Sequence, residues 1–183
     1  EDYRLTLWAK AAEGEGGIKV ELIDQLTDSE PQAFVTQELK ITSGEWKKYE
    51  LIMRSPKNDT EASLRILFNG KAPVCLEHVS LFPVKTFKNR KNGMRADLAQ
   101  ALADMHPGVF RFPGGCIVEG ADLQTRYQWK NTIGPVENRP VNENRWQYAM
   151  KSRISPDYYQ SYGLGFFEYF QLSEDIGAEP LPV

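Results

Sequence analysis

From Tyr3 to Phe82 apolar residues recur at every second position, and nowhere in that span at helical spacing. A period of two sends alternate side chains to opposite faces of an extended chain, so such a stretch buries one face only as β-strands. Tyr3, Leu5, Leu7 and Ala9 share one face; Arg4, Thr6, Trp8 and Lys10 share the other. Ile18, Val20 and Leu22 repeat the pattern, followed by 34–41 (a bent strand), 46–53, 63–68 and 74–82. Polar or Gly-rich turns separate them at 12–17, 24–31, 43–45, 56–59 and Asn69-Gly70. Short strands at this spacing predict an antiparallel β-sandwich, jelly-roll-like, over residues 1–84.

At Gly93 the period changes. Met94, Leu98, Ala101, Leu102 and Met105 recur at helical spacing, opposite Arg95, Asp97, Gln100 and Asp104. His106-Pro107-Gly108 ends this helix, and residues 109–112 read as a short buried strand. A second helix is predicted over 161–177, with Gly177 as its stop, and a further strand begins at 178. Helix, short loop and buried strand form the repeat of a parallel sheet or barrel. The basic, polar residues 85–92 read as a linker, leaving 93–183 as a second domain. The long stretch after residue 116 lacks periodicity, as insertions and functional loops do.

Composition narrows the partners. A net charge of −3 with no long single-sign run argues against nucleic acid, and no apolar run is long enough to span a bilayer. Glu1-Asp2-Tyr3-Arg4 is not a signal peptide, and the chain reads as an excised piece or a mature form. Cys75 and Cys116 fall in different domains and read as two buried free thiols. Two histidines without metal-type Cys/His spacing predict no metal site, and no cofactor motif is present; Gly163-Leu164-Gly165 is too short for a phosphate loop. Asn58-Asp59-Thr60 fits a glycosylation acceptor, which matters only in a eukaryotic secretory setting.

The stretch Phe110-Arg111-Phe112-Pro113-Gly114-Gly115-Cys116 is the leading candidate site. A strand that ends in a Pro-Gly-Gly corner beside a charge lets backbone approach a ligand. The alternative is a tight turn with Arg111 in a surface ion pair. In the sandwich, Trp8, Trp46 and Tyr49 are candidates for stacking on a sugar ring. Trp46 and Tyr49 are read as core, Trp8 as exposed or facing a neighbouring domain, and His78 as a hydrogen-bonded structural histidine. Glu119 and Asp122 lie beyond a strand end, where barrel sites form, but nothing fixes them opposite one another. Glu137 and Glu143 read as surface charge.

Two resemblances extend this reading. Residues 3–11, Glu45-Trp46-Lys47-Lys48-Tyr49-Glu50 and Glu77-His78-Val79-Ser80-Leu81-Phe82-Pro83 resemble a carbohydrate-binding module of the family 4/9 type; Glu77-His78 departs from its usual acidic pair. The Phe110–Cys116 corner, Trp129-Lys130-Asn131-Thr132-Ile133-Gly134-Pro135 with Arg139-Pro140, and Tyr162-Gly163-Leu164-Gly165 through Ile176-Gly177-Ala178-Glu179-Pro180 are similar to α-L-arabinofuranosidases of glycoside hydrolase family 51. The resemblance implies a retaining hydrolase with a (β/α)8 barrel, of which residues 93–183 would be about two βα units. It implies that Arg111, Gly114, Gly115 and Cys116 contact the sugar, and that both catalytic glutamates lie beyond Val183. It further implies arabinose-containing cell-wall polysaccharides as substrate, a secreted or periplasmic setting, and the rest of the barrel as partner. Without that partner, Phe166, Phe167 and Phe170 would leave an apolar face through which the fragment self-associates. A glycan-binding module with a barrel remnant, or a sandwich that binds no sugar, are the competing functions.

Overall fold

The computed structural model describes residues 1–24, 30–147 and 158–183. Most of the 24–31 turn, and residues 148–157 of the long aperiodic stretch, lie outside the described residues. The chain divides into two compact units, Glu1–Ala96 and Asp97–Val183.

The first unit is built from six strands: β1 (Asp2–Ala11), β2 (Gly16–Asp24), β3 (Gln32–Ile41), β4 (Lys47–Arg54), β5 (Ser63–Phe68) and β6 (Val74–Pro83). They form two three-stranded sheets, ordered β4-β1-β6 and β3-β2-β5, and every pairing is antiparallel. Leu5, Leu7, Ala9 and Ala11 of β1 pack with Ile18, Val20 and Leu22 of β2, closed by Ile41 and Met53. Alternation sets this register, since a slip of one residue would turn every core side chain to water. Two polar groups buried in the sheets are paired. Thr6 Oγ1 lies 2.7 Å from Ser80 Oγ. Glu21, only 3% exposed, meets Lys19 at 2.9 Å and Arg65 at 2.7 Å. Hydrogen bonds from Lys19, then Arg65, hold its carboxyl below the usual carboxylate range.

Three expectations for this unit change. Trp46 is not core: it is 40% exposed, because it sits one residue before β4 on the outward parity. Tyr49, on the inward parity, does pack against the core. Cys75 is an exposed thiol, not a buried one. His78 is exposed at the irregularity where β6 slips register against β1, with φ +48° and Nε2 3.7 Å from Glu77. Residues 85–92 form a closed turn within the unit: Thr86 and Phe87 are buried, and the Phe87 amide donates to Met94 O at 3.0 Å.

The second unit contains α1 (Ala96–Asp104), β7 (Val109–Phe112), α2 (Cys116–Glu119), the two-residue pair β8 (Asn142–Glu143) and β9 (Tyr159–Gln160), α3 (Phe166–Ile176) and β10 (Glu179–Pro182). β10 pairs parallel with β7, from Glu179 opposite Val109 to Pro182 opposite Phe112, and α3 leads into it. The helix expected from residue 161 begins only at Phe166 and ends at Gly177, whose φ of +76° is left-handed. The described residues form no barrel: their parallel strands number two, and most of the chain's sheet is antiparallel. Phe112 is buried at the centre of an aromatic cluster, stacked on Tyr169 at 5.0 Å and edge-on to Phe166 and Phe170 at 5.7 and 5.2 Å. Phe166 is therefore half-buried, whereas Phe167 and Phe170 remain 60% and 42% exposed.

Candidate functional site

Both parallel strands end at the same place. After Phe112 the chain turns through a cis Phe112–Pro113 peptide into Gly114 and Gly115, with φ of +67° and +65°. The turn stays tied to the second strand: Val183 N donates to Phe112 O at 2.8 Å, and Gly114 N donates to Val183 O at 3.2 Å. Gly114 is buried, and a Cβ there would lie 2.8 Å from the Arg111 guanidinium carbon. The guanidinium thus rests against bare backbone, in a space only glycine leaves. Arg111 is exposed, and among the described residues it has neither a hydrogen bond nor an ion pair. The alternative of a surface ion pair is not what the structure holds. Arg111, Gly114, Gly115 and Cys116 therefore sit together at one corner, with the Cys116 thiol half-buried at the start of α2.

Beside the corner opens a pocket of about 210 Å³, lined by Pro113, Val118, Tyr127, Trp129, Phe166 and the end of β10. Its walls are aromatic: Phe166 stacks with Tyr127 at 5.9 Å and with Trp129 at 5.8 Å. Burial pushes the Tyr127 phenol up to about 12 against a smaller lowering by the nearby Thr132 side chain, and its enclosed hydroxyl completes no hydrogen bond of good geometry among the described residues.

Glu119 and Asp122 are otherwise engaged. Glu119 is exposed and pairs with Arg145. Asp122 caps its own turn, accepting from the Gln124 and Thr125 amides at 2.9 and 2.8 Å and from Thr125 Oγ1 at 3.0 Å. Those bonds, the Thr125 amide first, lower its carboxyl below the ordinary value. Neither acid is set for acid/base work. Among the described residues no three His, Cys, Asp or Glu side chains gather to hold a metal, and no helix is long and apolar enough to cross a membrane.

A clamp that spacing does not reveal holds the pocket wall. Arg139 donates to Gly134 O from Nε and Nη2 (3.1 and 2.8 Å) and to Tyr162 O from Nη1 (2.9 Å). It also grips Glu168 through Nη1 and Nη2 at 3.0 and 2.7 Å. All five guanidinium protons are used. Glu168 accepts a further bond from Gly165 N at 2.8 Å, which satisfies an open amide at the start of α3. The fully buried Thr132 donates to Trp129 O and accepts from Phe166 N, pinning the tryptophan segment to the same helix end. The available signal was a glutamate three residues after Gly165, a helix-start pattern.

Comparison with known proteins places this unit. Residues 101–183 match the Alpha-L-arabinofuranosidase 1 domain family. An extracellular exo-α-L-arabinofuranosidase of Streptomyces chartreusis is 38% identical over 99% of this chain and 21% of its own length. α-L-Arabinofuranosidase 1 of Arabidopsis thaliana is 36% identical over 88% of the chain and 23% of its own length. The structure of an arabinose-bound GH51 α-L-arabinofuranosidase superposes with a TM-score of 0.79 at 31% identity, covering 99% of this chain and 28% of that one. The chain thus spans about a fifth of the length of these curated relatives. Residues 101–183 thus match part of the Alpha-L-arabinofuranosidase 1 domain family, and the chain as a whole is similar to segments of α-L-arabinofuranosidases, a GH51 structure among them.

Proposed function

We propose that this chain is part of a retaining α-L-arabinofuranosidase that releases terminal α-L-arabinofuranosyl residues from arabinan- or arabinoxylan-type polysaccharides. One observation carries the reading: within the matched segment, an arginine with no ion pair among the described residues rests on a glycine corner at the shared end of two parallel strands. In this reading Arg111 donates to sugar oxygens, Gly114 and Gly115 let backbone approach the ring, and the Cys116 thiol packs beside it. No histidine neighbours Cys116 in sequence to activate it, which favours a packed neighbour of the sugar over a nucleophile. The catalytic pair of a retaining glycosidase is two carboxylates roughly 5–5.5 Å apart. Glu119 and Asp122 are tied into an ion pair and a turn, so both glutamates are assigned to residues outside 1–183, together with the barrel that carries them. Residues 1–84 then form a carbohydrate-binding-module-like sandwich, 85–92 its connection, and 93–183 the entry to the catalytic domain. The extracellular name of the Streptomyces relative supports a secreted or periplasmic setting. The exposed Phe167 and Phe170 fit a face that the remaining catalytic domain covers, or through which the isolated chain self-associates.

The test uses an aryl α-L-arabinofuranoside. The 183-residue chain is expected to show no turnover, and the longer parent protein to hydrolyse it. Arg111→Ala in the parent is expected to lower kcat/KM by about a hundredfold, the scale for a donor aimed at developing charge. Saturable turnover by the chain alone, abolished by Glu119→Ala, would refute the assignment.

A further inference from the structure

Three rings wall the pocket beside the glycine corner, and each leads back to one buried guanidinium. Trp129 opens the segment 129–134, whose last carbonyl, Gly134 O, takes two donors from Arg139. Tyr127 is braced edge-on by the Tyr162 ring at 5.1 Å, and Arg139 Nη1 holds Tyr162 O at 2.9 Å. Phe166 opens α3, and the amide just before it, Gly165 N, donates to Glu168, the carboxylate that Arg139 grips at 2.7 Å. Thr132 closes the circuit, donating to Trp129 O at 2.7 Å and accepting from Phe166 N at 3.0 Å. The parts meet without slack: a Cβ on Gly165 would lie 2.1 Å from Thr132 O and 2.8 Å from Arg139 Nη1.

Stability alone does not account for this wiring. A network built for stability withdraws apolar groups from water, yet here the polar groups are buried and Trp129 stays 49% exposed. An exposed ring fixed in advance gives up little freedom when a ligand packs on it. The two arginines of this unit's pocket and corner divide the work. Arg139 spends all five protons on the protein and has none for a ligand. Arg111, with no ion pair among the described residues, is open to one.

We propose that Arg139 is a positioning residue of the glycosidase site, fixing Tyr127, Trp129 and Phe166 as an aromatic wall on which the sugar next to the bound arabinose packs its C–H face. Arg139 touches no substrate and acts through the rings. Trp129, the exposed member, makes the contact, and Thr132 shares the positioning by pinning its carbonyl. The proposal rests on the arabinofuranosidase reading for its ligand.

Fluorine NMR of the 183-residue chain carrying fluorotryptophan tests the positioning. The Trp129 signal is identified by its loss in Trp129→Phe. Arg139→Lys should shift or broaden it and leave the signals of Trp8 and Trp46, in the other unit, in place. Kinetics of the longer parent protein test the contact. Trp129→Ala and Arg139→Lys should each raise KM for an arabino-oligosaccharide about tenfold, with kcat per folded molecule within about twofold. The double variant should be no worse than Trp129→Ala, since both act through one ring. Thr132→Val keeps the shape, removes both hydroxyl bonds and should act in the same direction, which covers an Arg139→Lys protein that fails to fold. An unmoved Trp129 signal in Arg139→Lys and Thr132→Val, an unchanged KM in Trp129→Ala, or a loss in Arg139→Lys confined to kcat overturns the proposal. A parent that cleaves no arabinofuranoside overturns the hydrolase reading and the ligand with it, and the fluorine signal still decides whether Arg139 sets the ring.

Discussion

Replacing Arg139 should unfasten the second unit. Its side chain is 3% exposed and that of Glu168 is 24% exposed, so the pair is mostly withdrawn from water. Removing one partner of a buried pair costs about 3–5 kcal/mol, because the other charge is left behind uncompensated. Glu168 keeps some solvent and its Gly165 amide bond, which places Arg139→Ala near the lower end, about 3 kcal/mol. Gly134 O and Tyr162 O lose their guanidinium donors in the same step, adding about 1 kcal/mol for each that water fails to reach. A domain is stable by about 5–15 kcal/mol, so this is a large share. Arg139→Lys should recover little, since an ammonium cannot reach three acceptors in one plane. The assay is urea unfolding, with hydrogen exchange at the Tyr169 amide, which bonds Gly165 O at 3.0 Å, as a local report on α3. Glu168→Gln should cost less than Arg139→Ala, and the double variant little more than Arg139→Ala alone. Additive losses, or an Arg139→Ala protein within about 0.5 kcal/mol of the parent, would refute the clamp.

The same pair carries a pH dependence. Burial by itself would raise the Glu168 carboxyl, but the bonds from Arg139 and the Gly165 amide outweigh it and hold the group below 4.5. A depressed folded-state value means stability present above 4.5 and lost as pH falls through the lower, folded one, so the protection factor at Tyr169, corrected for the intrinsic exchange rate, should fall in acid and not in the Glu168→Gln variant. Tyr127→Phe should be neutral or stabilising on denaturation, since it removes an enclosed hydroxyl that completes no hydrogen bond of good geometry among the described residues. Tyr127 works in the opposite sense from Glu168: its contribution holds below pH 10 and is lost as pH rises toward about 12, to be read from phenolate absorbance. Gly165→Ala should destabilise by about 1–3 kcal/mol, because its Cβ would lie 2.1 Å from Thr132 O. Leu7→Ala should cost about 2–5 kcal/mol in the sandwich, where Leu7 is 1% exposed, and calorimetry should show the loss in that unit's transition.

The strands were legible because burial on one side forces a period of two, and six of them stand where alternation put them. Trp46 was misplaced although its parity was readable. Tyr49, Leu51 and Met53 pack against the core and Trp46, Lys48 and Glu50 share the other parity, but the core reading of Trp46 rests on the motif resemblance of residues 45–50 and not on its position. The start of α3 was missed for another reason. Leu164 falls at helical spacing with Phe167, yet Tyr162 adopts φ +53° and its carbonyl is held by Arg139, 23 residues earlier. Gly163, Gly165 and Glu168 are the local trace of that boundary. At the corner, the glycines and Arg111 are visible as a motif, whereas the arginine's lack of an acidic partner among the described residues is a fact of the fold.

That lack has a consequence for how the corner behaves. A surface arginine held by a carboxylate loses that hold when the acid is protonated or the pair is screened by salt. Arg111 is positioned by the shape of the main chain at Gly114, which does not titrate. Its placement therefore follows the backbone rather than a neighbouring charge, and a side chain at residue 114 would displace it.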